Sequence, residues 1–232
     1  MSYIGPANYG ARLDRSTRAY FTCAVVHSVF PRTQPHDWIL PLRESVDRVR
    51  PVTHVRSSAM VTAQGLLREL GKIAAYEEGI APENRAAVFG IVPGSWIPVE
   101  TALAHHRAID GLRLQPSEQI ALATGSGEKM QSALTGTILR MSREIGITPW
   151  TLMPHGQRIW DRICRGGDMS VERVGPKEVV VRMYGLPLFA SSYFRVASRY
   201  VLQSGLSHWC SRCFVTEVAH TPTSITLREA WA

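Results

Sequence analysis

Lysine is nearly missing from this sequence. Lys72, Lys129 and Lys177 are the only three, so the net charge of +7 rests almost wholly on arginine. Cysteine is scarce as well. Cys23, Cys164, Cys210 and Cys213 in a chain of 232 residues do not make a disulfide framework, and a reducing cytoplasm is the natural reading. No run of about twenty apolar residues occurs, which excludes a predicted membrane-spanning helix. The most apolar stretch, Ala19 to Phe30, is interrupted by Thr22, His27 and Ser28 and lacks a small-residue cleavage site, so it reads as a strand and not as a signal peptide. There is no internal repeat and no low-complexity tract. Catalytic signatures are missing too: no HExxH, no nucleophile elbow, no Ser/His/Asp order and no paired-carboxylate motif. Gly125-Ser-Gly-Glu-Lys-Met130 fails as a phosphate loop, because that pattern needs Ser or Thr after the lysine.

The last third is the most legible part. Met169 to Val174 alternates apolar and polar residues, the period of a half-buried strand. Gly175-Pro176 turns the chain, and Lys177 to Tyr184 resumes with Val179, Val181 and Met183 on one face, so the pair reads as an antiparallel hairpin. Pro187 opens a helix in which Phe189, Tyr193, Val196 and Tyr200 recur at helical spacing, with Gly205 closing it. Ser207 to Val218 reads as a third strand. After the turn at 221–224, Ile225, Leu227 and Trp231 share one face of a fourth strand. The order is ββαββ, and the fold class is α+β: a helical N-terminal half packed on a C-terminal antiparallel sheet.

The first part is harder. Prolines at 6, 31, 35, 41 and 51 exclude long helices, and residues 1–51 read as an N-terminal extension holding a short helix over 42–49. A single domain over 52–232 follows. Val52 to Arg56 is a strand candidate. Ser57 or Ser58 caps a helix to Leu70, Pro82 opens one through Phe89, and Val99 to Leu114 and Ser117 to Ala123 form two more. Gly125-Ser-Gly127 reads as a break before an amphipathic helix over 128–145. Thr148 caps a last helix that runs to about Cys164. Charge is uneven: residues 1–56 carry +4, 57–150 carry −1 and 151–232 carry +4.

Several constellations carry chemistry on paper. Cys210-Ser-Arg-Cys213 lacks the helix N-terminus that a redox pair uses and the second pair that a zinc site uses, and both thiols fall on one strand, on opposite faces. They read as structural, and no metal is assigned. His105-His106 lies on a helix with the two rings about 100° apart, so only one of them can face a pocket. Arg158, Arg162 and Arg165 fall on one helix face and, joined by Arg195 and Arg199, could offer an anion surface. No recognisable nucleic-acid module accompanies them, so they read as a solvated face. Trp96, Trp150, Trp160 and Trp209 read as core or as the lining of a cleft.

With these elements in place, Val55-Arg-x-Ser58, Leu67-Arg-Glu-Leu-Gly71, Ile80-Ala-Pro-Glu-Asn-Arg85 and Gly94-Ser-Trp-Ile-Pro-Val99 follow one another in an order that resembles a bacterial domain family widespread in myxobacteria. Ile97 stands where that family has Tyr. The resemblance covers residues 52–231. It implies a fold similar to haem-NO-binding sensor domains, 4-vinyl-reductase domains and small subunits of vesicle-tethering complexes, and a binding or regulatory module more than an enzyme.

The expectation is a non-enzymatic signalling or assembly module that binds a small apolar ligand or a protein partner in the helix–sheet cleft, with Trp96, His106, Trp160, Arg162 and Tyr193 as ligand-lining candidates. No cofactor is specified, and a homodimer is compatible with it. Two alternatives stand beside it: an enzyme of unassigned reaction with polar groups converging around His106, Arg162 and Glu217, and, more weakly, nucleic-acid binding through arginines.

Overall fold

The computed structural model describes residues 36–126 and 148–232, which belong to one compact unit spanning 36–232. The strand expected over 19–30 and the amphipathic helix over 128–145 lie outside the described residues.

The framework is a five-stranded antiparallel sheet. Its strands are β1 (Asp37–Leu40), β5 (Asp168–Gly175), β6 (Glu178–Tyr184), β7 (Cys213–Thr221) and β8 (Ser224–Trp231), in the order β1-β5-β6-β8-β7. The period-2 alternation sets which side is covered: Val171, Val179, Val181, Met183, Ile225, Leu227 and Trp231 are buried on one face. A second sheet of three short strands, β2 (His54–Arg56), β3 (Trp96–Pro98) and β4 (Cys164–Arg165), has β2 at its centre.

The helices are α1 (Ser58–Glu69), α2 (Ile73–Glu78), α3 (Pro82–Phe89), α4 (Val99–Gly111), α5 (helical residues 116–126), α6 (Pro149–Leu152), α7 (Gly156–Ile163) and α8 (Ser192–Leu206). Two apolar clusters result. One lies under the five-stranded sheet and includes Met153, Trp160, Phe189 and Leu206. The other joins α1 to α5 and is closed by Tyr193 of α8, around Leu67, Tyr76, Ile80, Val88, Ile109 and Leu122. The fold is α+β, and the ββαββ order of the last third is present as read.

The boundaries differ from the sequence reading for local reasons. The third strand of that module begins at Cys213, because residues 207–212 turn the chain out of α8. Ser191 caps α8, accepting from the Phe194 amide at 3.1 Å, so Pro187 opens a 3-10 turn and not the helix itself, and Gly205 lies inside α8. Ser57 does not cap α1: its hydroxyl donates to the Val92 carbonyl at 2.7 Å, while the Ser57 amide binds the Ser95 carbonyl. Thr148 does cap α6 through a capping box with Thr151, but the helix to Cys164 is split by a 3-10 turn at Met153–His155, where Pro154 cannot donate to the ladder. Helix α5 runs through Gly125 and Ser126, where a break is expected.

Residues 36–51 pack with the rest of the unit, although they fall inside the expected extension. Strand β1 is the edge partner of β5, with Trp38 opposite Glu172. Only a 3-10 turn at Val46–Arg48 replaces the helix expected over 42–49. Arg43 ties this segment down. Its amide donates to Asp168 Oδ2 at 2.8 Å, its Nε to Asp168 Oδ1 at 3.2 Å, its Nη2 to the Gly167 carbonyl, and its Nη1 meets Asp161. Asp168 is almost fully buried, and a buried carboxylate is tolerable only when paired and hydrogen-bonded in this way.

Candidate functional site

Strand β8 carries one residue that breaks its own pattern. Ile225, Leu227, Glu229 and Trp231 all turn to the covered face, so a carboxyl group enters a row of apolar side chains. In register Glu229 sits between Val179 of β6 and Val215 of β7. It is 2% exposed, and its Oε1 has no hydrogen-bond partner among the described residues. Burial pushes the Glu229 carboxyl up to about 7. An unpaired carboxyl in such surroundings costs on the order of several kcal/mol unless something supplies donors to it.

One thiol stands near that carboxyl, and a second stands near the first. Cys213, opposite Trp231, is buried, and its thiol is pushed up to about 12, first by burial and then by the nearby Cys210 and Glu229. Cys210 donates to the Leu206 carbonyl at 3.3 Å in the turn that follows α8. This corrects the sequence reading, which put both cysteines on one strand. Neither lies at a helix N-terminus, and both pKa values move away from thiolate, the reverse of what a redox pair needs. Among the described residues no group of three His, Cys, Asp or Glu side chains could hold a metal ion. Trp150 meets Trp231 edge-on at 4.7 Å, and Arg173 lies 4.5 Å over Trp150.

A second buried polar group lies on α4. His105 is fully buried, with its Nδ1 2.5 Å from the Tyr76 hydroxyl and its Nε2 without a partner among the described residues. His106 is buried too, because α4 packs against α2 and α3 on one side and α8 on the other. Its ring lies 4.8 Å from Phe194 and 5.9 Å from Tyr193, and its Nδ1 has no partner among the described residues. Burial holds His105 well below the usual histidine range. Burial also lowers His106, to about 4, with Asp110 opposing in part. Asp110, one turn on, accepts from the Ser192 hydroxyl and the Tyr193 amide, which pins the start of α8 to α4. Burial raises the Tyr193 hydroxyl as well.

The five ligand-lining candidates fall into separate places. His106 and Tyr193 come together between α4 and α8. Trp160 is a packing residue: its indole N–H donates to the Gly166 carbonyl at 2.9 Å, and its ring fills the space where Gly167 has no Cβ. Arg162 is exposed at the end of α7. Trp96 is half-buried on β3, beside the guanidinium groups of Arg56 and Arg165. Of the three residues proposed for an enzyme, Glu217 on β7 pairs with Arg195 of α8 and with His220, His106 is buried on α4, and Arg162 is exposed at the end of α7. Nor do the arginines make one helix face. Arg165 has left α7 for β4, and Arg195 and Arg199 bind backbone carbonyls of Phe189 and Val215 near the far edge of the sheet. Glu229 escaped the sequence reading, although a carboxylate in phase with Ile225, Leu227 and Trp231 is the signal that could have found it.

No family model matches this chain, and no curated protein matches it. Among solved structures it is similar to a Cs H-NOX mutant with 4-cyano-L-phenylalanine at site 5, at 11% identity and a TM-score of 0.46, covering 76% of this chain and 96% of that one. It is also similar to a chain from a study of haem distortion in the H-NOX family, at 11% identity and a TM-score of 0.44, covering 75% of this chain and 94% of that one. No helix among the described residues is long and apolar enough to cross a membrane.

Proposed function

We propose that this chain is a non-enzymatic binding module. Its ligand is a small, mainly apolar molecule carrying a hydrogen-bond donor, taken up on the covered face of the sheet with Glu229 as its polar anchor. One observation carries the reading: the Glu229 carboxyl is buried among Val179, Val215, Leu227 and Trp231 with an oxygen, Oε1, that no group among the described residues satisfies. Natural cores rarely tolerate such a group, and a ligand donor would relieve it. The motif order over 55–99 supports placing the chain with the myxobacterial domain family and a signalling or assembly role. The free thiols of Cys164, Cys210 and Cys213 support a reducing compartment.

Mass spectrometry of the purified protein, native beside denatured, tests the ligand. The expected result is a released small molecule in the wild type that is absent from Glu229→Leu. A clean protein mass, together with no rise in melting temperature from a panel of long-chain alcohols and amines, would overturn the reading.

A second reading, a protein partner on the open face of the sheet, has its own support. Trp38, Val174, Phe214 and Val218 are exposed there or at its edges, more apolar surface than β1, β5 and β7 need for themselves. Light scattering at rising concentration would detect a self-associating form.

A further inference from the structure

The small sheet has one face in the core and one in solvent. Val55, Ile97 and Cys164 are buried, and the alternating register puts His54, Arg56, Trp96 and Arg165 on the opposite side. There the Arg56 guanidinium lies 4.2 Å and that of Arg165 4.6 Å from the centre of the Trp96 ring. Arg56 is further fixed by two neutral acceptors: Nη1 donates to the Gly94 carbonyl at 2.6 Å and Nε to the Arg162 carbonyl at 3.3 Å. Those bonds orient the cation without neutralising it. Arg162 is exposed where α7 runs into β4. Among the described residues none of Arg56, Arg162 and Arg165 pairs with a carboxylate, whereas Arg43, Arg182, Arg195 and Arg228 all do.

We infer that this face is a docking surface for an acidic segment of a partner protein, with carboxylate side chains seated on the Arg56, Arg162 and Arg165 guanidiniums. The chemistry favours it in three ways. Guanidinium forks bind carboxylates bidentately, and two of these are held in place by one indole, so less side-chain freedom is lost on binding. Arg56, Arg162 and Arg165 are all solvent-exposed, on or beside one strand face, and a row of exposed cations suits a chain more than an enclosed small molecule. The Trp96 ring already carries two cations, so it does not offer the free stacking platform that single-stranded nucleic acid uses.

Fluorescence anisotropy of a labelled oligoglutamate peptide, titrated with the full chain, is the test. The peptide should bind, and binding should weaken as salt is raised. Arg165→Glu should lower affinity by about tenfold. Arg107→Glu, which makes the same charge change at an exposed position on α4, should lower it by less than about twofold. Trp96→Leu should weaken binding and Trp96→Phe should restore most of it, because a ring retains the cation–π support. Absence of binding, equal losses for Arg165→Glu and Arg107→Glu, or tighter binding of oligothymidylate or anionic lipid vesicles than of the peptide would each overturn the inference. None of these outcomes bears on the Glu229 site, which lies on the other sheet.

Discussion

Replacing Glu229 by glutamine removes the titration while keeping size and shape, and the structure sets how stability must respond. In the folded chain burial raises this carboxyl from an ordinary 4.5 to about 7. Protonation is therefore favoured by the fold. The stability it contributes is fully present below pH 4.5 and is lost as pH rises through 7. A tenfold change in proton affinity is worth about 1.4 kcal/mol, so the loss amounts to about 3 kcal/mol at pH values above the folded pKa. Glutamine does not titrate, and every other group is common to both proteins. The difference in unfolding free energy should therefore change by about 3 kcal/mol in favour of Glu229→Gln between acid and mildly alkaline solution. Urea unfolding across that range, read by tryptophan fluorescence, measures the difference directly. In thermal melts it corresponds to a relative shift on the order of 6–12 °C for a unit of this size. Parallel pH profiles for the two proteins would refute the reasoning, because a solvated or ion-paired Glu229 carries no such linkage. A small molecule retained through purification that donates to the carboxyl would lower its pKa and shrink the effect, so protein refolded from denaturant is the proper sample.

The histidines act in the opposite sense. With His106 at about 4 when folded and near 6.5 when unfolded, its contribution is intact above 6.5 and is lost as pH falls. His106→Leu should therefore narrow its stability gap to the wild type by about 2 kcal/mol at pH ~5, measured by the same unfolding series. Asp168→Ala should cost about 3 kcal/mol, because it leaves the Arg43 Nε and two amides without their acceptor, and it should free residues 36–51 to amide hydrogen exchange. Gly167→Ala should destabilise by about 2 kcal/mol or more in chemical denaturation. Its φ is +70°, and a Cβ would stand 2.8 Å from the Trp160 ring, the Tyr184 carbonyl and Val52.

Features that depend on neighbours along the chain were legible before any tertiary contact was known. Period-2 alternation at 169–174, 177–184 and 225–231 marked strands of known facing. Gly175-Pro176 marked a hairpin, and Pro82 and Thr148 marked helix starts, because these signals act within a few residues. Other features needed a partner far away in the chain. Strand β1 exists because β5 offers it an edge 131 positions on, at Leu40 opposite Val171. Ser57 gives its hydroxyl to Val92 instead of to its own helix, and Arg165 leaves the arginine row because β2 pairs it into a strand. The candidate site divides in the same way. That Glu229 shares a face with Ile225 and Leu227 was legible from spacing. That this face is covered, with no donor brought to one of its oxygens, was decided only when β6, β7 and the packed helices closed over it. Desolvation is a property of everything that surrounds a group, and spacing along one strand does not contain it.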